Sequence, residues 1–312
     1  MGHAGRGKAP PLTDAIIVEN VTKAFGENIA VDNVSLNVPT GCVCGFLGPN
    51  GAGKTTLIRM ILAILYPDVG SISVLGHGTA EAARSQLGCL PEERGLYPKM
   101  RAVECLAYIG TLKGMARKHA SERALALLAE FGLEDAARRK CEALSKGMSQ
   151  KLQILATFIH DPQLVILDEP FSGLDPVNVD LIRDAILRMK REGKTVLFST
   201  HMMDQAEQLC DRIVLVHQGR KVLDGSLSEV RDAQEHAVVI EYDGDGRALN
   251  DLPGVATVRD AGKRAELTLT PTADPQAILR ELVGRVELES FAVRRPSLHE
   301  VFIRTVGSPD DA

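Results

Sequence analysis

The chain has 312 residues, of which 45% are apolar and 25% charged, enough for two domains that fold on their own cores without disulfide or metal staples. A formal net charge of -5 excludes the strongly basic surface on which nucleic-acid binding rests, so no nucleic-acid partner is expected. Six scattered cysteines, with no CxxC pair and no zinc-ligand spacing, are expected to be reduced thiols.

Residues 1–13, rich in Gly, Pro and basic groups, read as a mobile arm. From residue 14, AIIVENV and VDNVSLNV alternate apolar and polar positions, as strands with one buried face do, and VCGFL is a continuous apolar strand entering a glycine-rich turn. A helix over 54–65 follows, then a short strand over 71–76. Between 91 and 160 the spacing becomes helical, with AVECLAYIGTL, ERALALLAEFG and QKLQILATFIH each repeating apolar residues at three and four positions. LVILDEP reads as a buried strand. Asp175 and Pro176 are a cap and first-position pair that open a helix over 176–189. TVLFST (195–200) is another buried strand, HMMDQAEQLC a short helix, and 212–225 a hairpin turning at Gln218 and Gly219.

Short apolar strands alternating with helices predict an α/β core with a largely parallel sheet. Ser226 and Glu229 then form a capping-box pair, after which the period changes. AVVIEY, VATVRD and RAELTLT read as strands, PQAILRELVGR as a helix, and SLHEVFIRTVG as a helix opened by the Ser297 and Glu300 pair. The expected organisation is a first domain over 14–234, with a helical subdomain over 91–160, and a smaller α+β domain over 235–312. No apolar run approaches the roughly 20 residues needed to cross a bilayer, so the chain is expected to be soluble, and any membrane step to need a second polypeptide.

The turn Gly48-Pro49-Asn50-Gly51-Ala52-Gly53-Lys54-Thr55-Thr56 carries the strongest chemical signal. Glycines without a Cβ let the chain wrap an anion with backbone N–H groups, and the following helix adds its positive dipole end. In this GxxxxGKT pattern Lys54 reaches β- and γ-phosphates and the Thr55 hydroxyl is placed for Mg²⁺. Asp168 and Glu169, ending the strand LVILDEP, would emerge at the same sheet edge. Asp168 suits Mg²⁺ held through its water shell, and Glu169 suits the polarising of a water that attacks the γ-phosphate. His201, directly after TVLFST, falls at that edge too, where an imidazole would meet the γ-phosphate or the attacking water. Ser145 and Gly147, in LSKGMSQKLQ, offer a second anion site at a helix start; since the chain already has one cradle, the economical role is to complete the pocket of another copy.

In order along residues 14–230, these segments resemble the ATP-binding subunits of ABC transporters. GPNGAGKTT looks like their phosphate loop, LSKGM their signature, VILDEP their metal-and-catalytic strand, SGLD (172–175) their dimer-contact loop and His201 their switch histidine. Phe25, just before Gly26, matches the aromatic that stacks on adenine. The resemblance implies a P-loop ABC-type ATPase core that uses ATP and Mg²⁺. It also implies a homodimer that sandwiches two nucleotides, and an integral membrane permease as partner at the cytoplasmic face of the membrane. Two departures stand out: Lys146 and Met148 replace the commonest Gly and Gln of the signature, and Glu92 stands where the metal-sensing loop usually offers glutamine. PEERGLYP with the extra C-terminal domain is similar to exporter-type subunits, including sodium-efflux and drug-resistance ones. A soluble ABC ATPase of translation or DNA repair is the alternative, but such proteins typically carry two cassettes or a long coiled-coil insert. A kinase or GTPase reading leaves LSKGM and His201 without purpose.

Overall fold

The computed structural model describes residues 14–90, 95–232, 237–270 and 272–307. Glu92 and residues 1–13, which carried expectations above, lie outside the described residues. The elements in chain order are β1 (Asp14–Phe25), β2 (Asn28–Pro39), β3 (Val43–Leu47), α1 (Lys54–Ile61), β4 (Val69–Val74), β5 (Leu87–Leu90), α2 (Ala102–Leu112), α3 (Arg117–Glu130), α4 (Lys146–Phe158), β6 (Leu164–Asp168), α5 (Pro176–Arg191), β7 (Thr195–Thr200), α6 (Met203–Leu209), β8 (Arg212–His217) and β9 (Arg220–Ser226). Then follow α7 (Leu227–Asp232), β10 (Ala237–Asp243), β11 (Val255–Asp260), β12 (Arg264–Leu269), α8 (Pro275–Leu282), β13 (Glu287–Arg294) and α9 (Leu298–Val306).

Every residue of β3, β6 and β7 is buried, which requires a sheet covered on both faces. These strands lie at the centre of a six-stranded sheet of order β5-β6-β7-β3-β8-β9, with β5 to β8 parallel. β1 and β2 do not join it. β1 pairs antiparallel with β2 on one side and β4 on the other in a separate three-stranded sheet, which buries one face more than the other. α1 stops at Ile61, short of the expected end at 65, because Ala63 adopts a positive φ of 56° and the chain turns back. α5 opens as expected, with the Asp175 side chain accepting from the Asn178 N–H at 3.0 Å.

The packing divides into two units, one running to Asp224 and one from Gly225. The break comes earlier than the boundary at 234/235 read from the change of period. α7, opened by the Ser226 and Glu229 box, belongs to the second unit, where the Arg231 guanidinium donates to the Pro296 carbonyl at 3.0 Å. The second unit is an antiparallel sheet of order β11-β12-β10-β13. Its core gathers Val238, Ile240 and Tyr242 of β10, Ala265, Leu267 and Leu269 of β12, and Ile278 and Leu282 of α8.

His160, just beyond α4, gives the first unit a measurable acid sensitivity. One ring nitrogen, Nε2, lies 3.1 Å from the Leu87 carbonyl, and Nδ1 has no partner. Burial, then the Lys113 ammonium, push its pKa down to about 4. The fold therefore favours neutral imidazole, and the unfolded chain binds the extra proton between about pH 6.5 and 4. Stability rises with pH through that window and is lost as pH falls. In thermal melts, His160→Gln should be less stable than the parent at pH 7.5 and close that gap toward pH 5; a gap constant over this range would contradict it.

Candidate functional site

Because β6, β7 and β3 are parallel neighbours, whatever follows each strand emerges at one edge of the sheet. After β3 comes the phosphate turn, after β6 comes Glu169, and after β7 comes His201. The expected convergence is what the strand order delivers. Lys54 is only 6% exposed, and its ammonium donates to the Gly48 carbonyl at 2.8 Å and the Pro49 carbonyl at 3.0 Å. It also lies 3.7 Å from a Glu169 carboxylate oxygen. Both Glu169 carboxylate oxygens are 3.1 Å from Nδ1 of His201. Glu169 itself has a φ of +48°, an unusual state for a residue with a side chain.

The turn is held from behind. At Gly48, φ is +151° and a Cβ would sit 2.2 Å from the Val216 carbonyl oxygen; at Gly53, φ is +102° and a Cβ would sit 2.4 Å from that of Ala30. No other residue fits either place without moving the backbone. The β8–β9 turn adds a brace, with the Gly219 N–H donating to the Ala52 carbonyl at 3.0 Å and the Asp32 N–H donating to the Gly219 carbonyl at 2.9 Å.

In front of the turn lies a cavity of about 600 Å³, lined by Phe25, Ile29, residues 50–56, Glu169 and the Gln218–Gly219 turn, among others. Phe25 is half exposed, with the Lys23 ammonium 5.7 Å from its ring centre. A buried ammonium beside a cavity onto which a helix N-terminus opens suits a polyphosphate chain. Thr55, which lines the cavity, and Asp168, the residue before cavity-lining Glu169, supply hard oxygen donors, the class Mg²⁺ takes. Among the described residues no three or more His, Cys, Asp or Glu side chains converge as a metal site.

Asp168 is 2% exposed and accepts from the Ser199 hydroxyl at 2.5 Å. The Glu169 N–H donates to that same hydroxyl at 2.9 Å. Ser199 was not among the residues singled out from the sequence. Its only signal there is its place two residues before His201 in a buried strand. Ile29 of β2 and Gln218 were also missed as lining residues; only the adjacency of β8 to β3 brings the Gln218 turn beside the phosphate loop.

Ser145 caps α4, accepting from the Met148 N–H at 3.2 Å. That bond uses a lone pair of the hydroxyl and leaves its proton to donate elsewhere. Ser145, Lys146, Gly147 and Met148 do not line the cavity of their own phosphate turn. Further along α4, the Gln150 amide reaches the Ser172 carbonyl at 3.5 Å, so the LSKGM and SGLD segments adjoin within one chain.

Comparison with known proteins accounts for this arrangement. Residues 31–172 match the family model for ABC transporters, and residues 225–306 match that for the C-terminal domain of DrrA1-3-like ATP-binding proteins. The chain is 40% identical over 294 residues to the ABC transporter ATP-binding protein YhaQ of Bacillus subtilis, covering 94% of this chain and 99% of that one. It is 37% identical over 297 residues to Nod factor export ATP-binding protein I of Sinorhizobium fredii, covering 94% and 86%. It is 35% identical over 305 residues to daunorubicin resistance ATP-binding protein DrrA3 of Streptomyces coeruleorubidus, covering 94% and 96%. A solved ATP-binding subunit of an ABC transporter superimposes with a TM-score of 0.66 at 32% identity, over 70% of this chain and 92% of that one. With the phosphate turn, the paired carboxylates and the strand-end histidine on one sheet edge, the chain belongs to the ABC transporter family as an ATP-binding subunit, an ATPase that powers transport.

Proposed function

We propose that two copies of this chain meet face to face, each closing the other's nucleotide cavity, and that the closing and opening of the pair drives a membrane permease that exports an ion, a drug or another small molecule. One observation carries the reading. The cavity holding Lys54 and Glu169 is open on one side, and the serine-capped start of α4 takes no part in lining it. A hydroxyl with a free proton, a glycine and a helix dipole form an anion site that makes sense only against a phosphate from elsewhere. A partner's γ-phosphate meets that need. The names of the relatives, Nod factor export and daunorubicin resistance, support small-molecule export.

In this reading Phe25 stacks on the adenine, the loop from Gly48 to Thr56 wraps the phosphates, and Lys54 exchanges its hydrogen bonds to Gly48 and Pro49 for phosphate oxygens. Thr55 and Asp168 hold Mg²⁺, which when bound offsets the charge that builds on the phosphate oxygens. Glu169 orients and polarises the attacking water, and His201 fixes the Glu169 carboxylate until a γ-phosphate is present to receive the imidazole. Ser145, Lys146, Gly147 and Met148 close the pocket from the second copy. No helix among the described residues is long and apolar enough to cross a membrane; in this reading the permease supplies the spanning part and this subunit sits at its cytoplasmic face.

The test is sedimentation with a non-hydrolysable ATP analogue. The chain should sediment as a dimer with nucleotide and as a monomer without it. Ser145→Arg should abolish the dimer while leaving nucleotide affinity within about threefold, since Ser145 is remote from its own cavity. A monomer at saturating nucleotide, both alone and in the purified membrane assembly, would overturn the reading.

A further inference from the structure

The paired carboxylates Asp168 and Glu169 share a single anchor. β6 and β7 run parallel with Asp168 opposite Ser199, so the Ser199 side chain, fully buried, lies beside the end of β6. Its hydroxyl donates to Asp168 at 2.5 Å and accepts from the Glu169 N–H at 2.9 Å. A hydroxyl has one proton. Once that proton is committed to the Asp168 carboxylate, the oxygen's remaining capacity faces the amide of the next residue. The result is a directed chain from the Glu169 amide through the Ser199 hydroxyl to the Asp168 carboxylate, in a buried setting where each bond polarises the next.

Two physical needs meet at this hydroxyl. Asp168 is a buried carboxylate, and a donor to it is worth more than one between neutral groups. Glu169 sits at a φ of +48°, which is costly for a residue with a Cβ and persists only where neighbouring bonds hold it. The Ser199 oxygen supplies such a bond at the amide that begins the strained residue. An alanine at 199 would leave the amide without that acceptor and let both carboxylates shift, although Ser199 itself does not line the cavity.

We propose that Ser199 is a positioning residue: through one hydroxyl it sets Asp168 for the divalent cation and Glu169 for the attacking water. This rests on the reading above that Asp168 holds Mg²⁺. The experiment compares Ser199→Ala, Ser199→Thr and Asp168→Asn with the parent chain. It uses Mn²⁺ titrated by electron paramagnetic resonance into protein loaded with a non-hydrolysable ATP analogue, metal-free analogue binding, and steady-state ATP hydrolysis. Ser199→Ala should weaken Mn²⁺ affinity about tenfold and lower kcat by about ten- to a hundredfold, with analogue affinity unchanged. Ser199→Thr, which keeps the hydroxyl, should recover most of both.

If Asp168→Asn weakens Mn²⁺ binding and a folded Ser199→Ala does not, the positioning role is wrong while the metal reading stands. If Asp168→Asn leaves Mn²⁺ binding unchanged, the metal reading fails and the proposal with it. A parallel loss of analogue affinity in Ser199→Ala would mean general collapse of the site and would also overturn it. Should Ser199→Ala not fold, the hydrolysis and Mn²⁺ affinity of Ser199→Cys, of similar volume but a weak donor, decide on the same terms.

Discussion

Glu169→Gln should lower ATP turnover by about 10²- to 10⁴-fold, the range for loss of a positioned base, while nucleotide affinity holds or rises. The change is isosteric, so the residue keeps its place after β6 and one of its oxygens remains for the His201 ring, now 3.1 Å from both. What goes is the negative charge. Water attacking a phosphoryl group needs an acceptor for its proton, and an amide is a far weaker one than a carboxylate. In transition-state terms the loss is about 3–5 kcal/mol. Affinity moves the other way because the carboxylate lies 3.7 Å from the Lys54 ammonium, where it competes with phosphate for that cation and repels the incoming triphosphate. Phosphate release and equilibrium nucleotide binding, measured side by side, separate the two effects. Turnover within threefold of the parent would remove Glu169 from the role of base. In the dimer reading the same variant should also accumulate as a nucleotide-filled pair.

Much of this site was legible in the sequence because its signals are local. The turn from Gly48 to Thr56 declares itself by glycines that no other residue can replace, two of which meet backbone carbonyls where a Cβ would go. β6 and β7 declare themselves by the apolar runs Leu164–Leu167 and Val196–Phe198 that precede Asp168 and Ser199. The start of α4 was readable from Ser145 alone. What the sequence hid is long-range pairing. The place of β3 beside β8 puts Gln218 next to the phosphate loop, and the pairing of β6 with β7 puts Ser199 opposite Asp168; no local pattern encodes that order. The same holds for β1, whose alternation with β2 is clear but whose second partner, β4, lies across α1. β13 escaped for a different reason. A register shift between Glu241 and Tyr242 of its partner β10 puts its inward residues, Leu288 and Phe291, three apart instead of two, and the strand period disappears.

Lys54→Ala should weaken ATP binding by about 10²-fold or more, because charge-assisted hydrogen bonds to phosphate each contribute about 1.5–3 kcal/mol. The nearly buried ammonium has a second role without nucleotide. It bonds the carbonyls of Gly48 and Pro49 and neutralises Glu169, so its removal also takes the donor from two carbonyls and the nearby cation from a carboxylate. A loss of thermal stability without ATP should therefore accompany the loss of affinity. Lys54→Met separates the contributions, since it keeps most of the buried stem but carries no charge. If packing alone mattered, Met would restore both properties; if the charge matters, Met stays as defective as Ala in nucleotide affinity by calorimetric titration. The contrast with Glu169→Gln is the sharper check on the assignment of roles. One variant should lose binding, with turnover failing for want of bound substrate, and the other should lose turnover with binding intact. If both lost binding equally, the cation and the carboxylate would be acting as one structural pair, and the division of labour between cradle and base would fail.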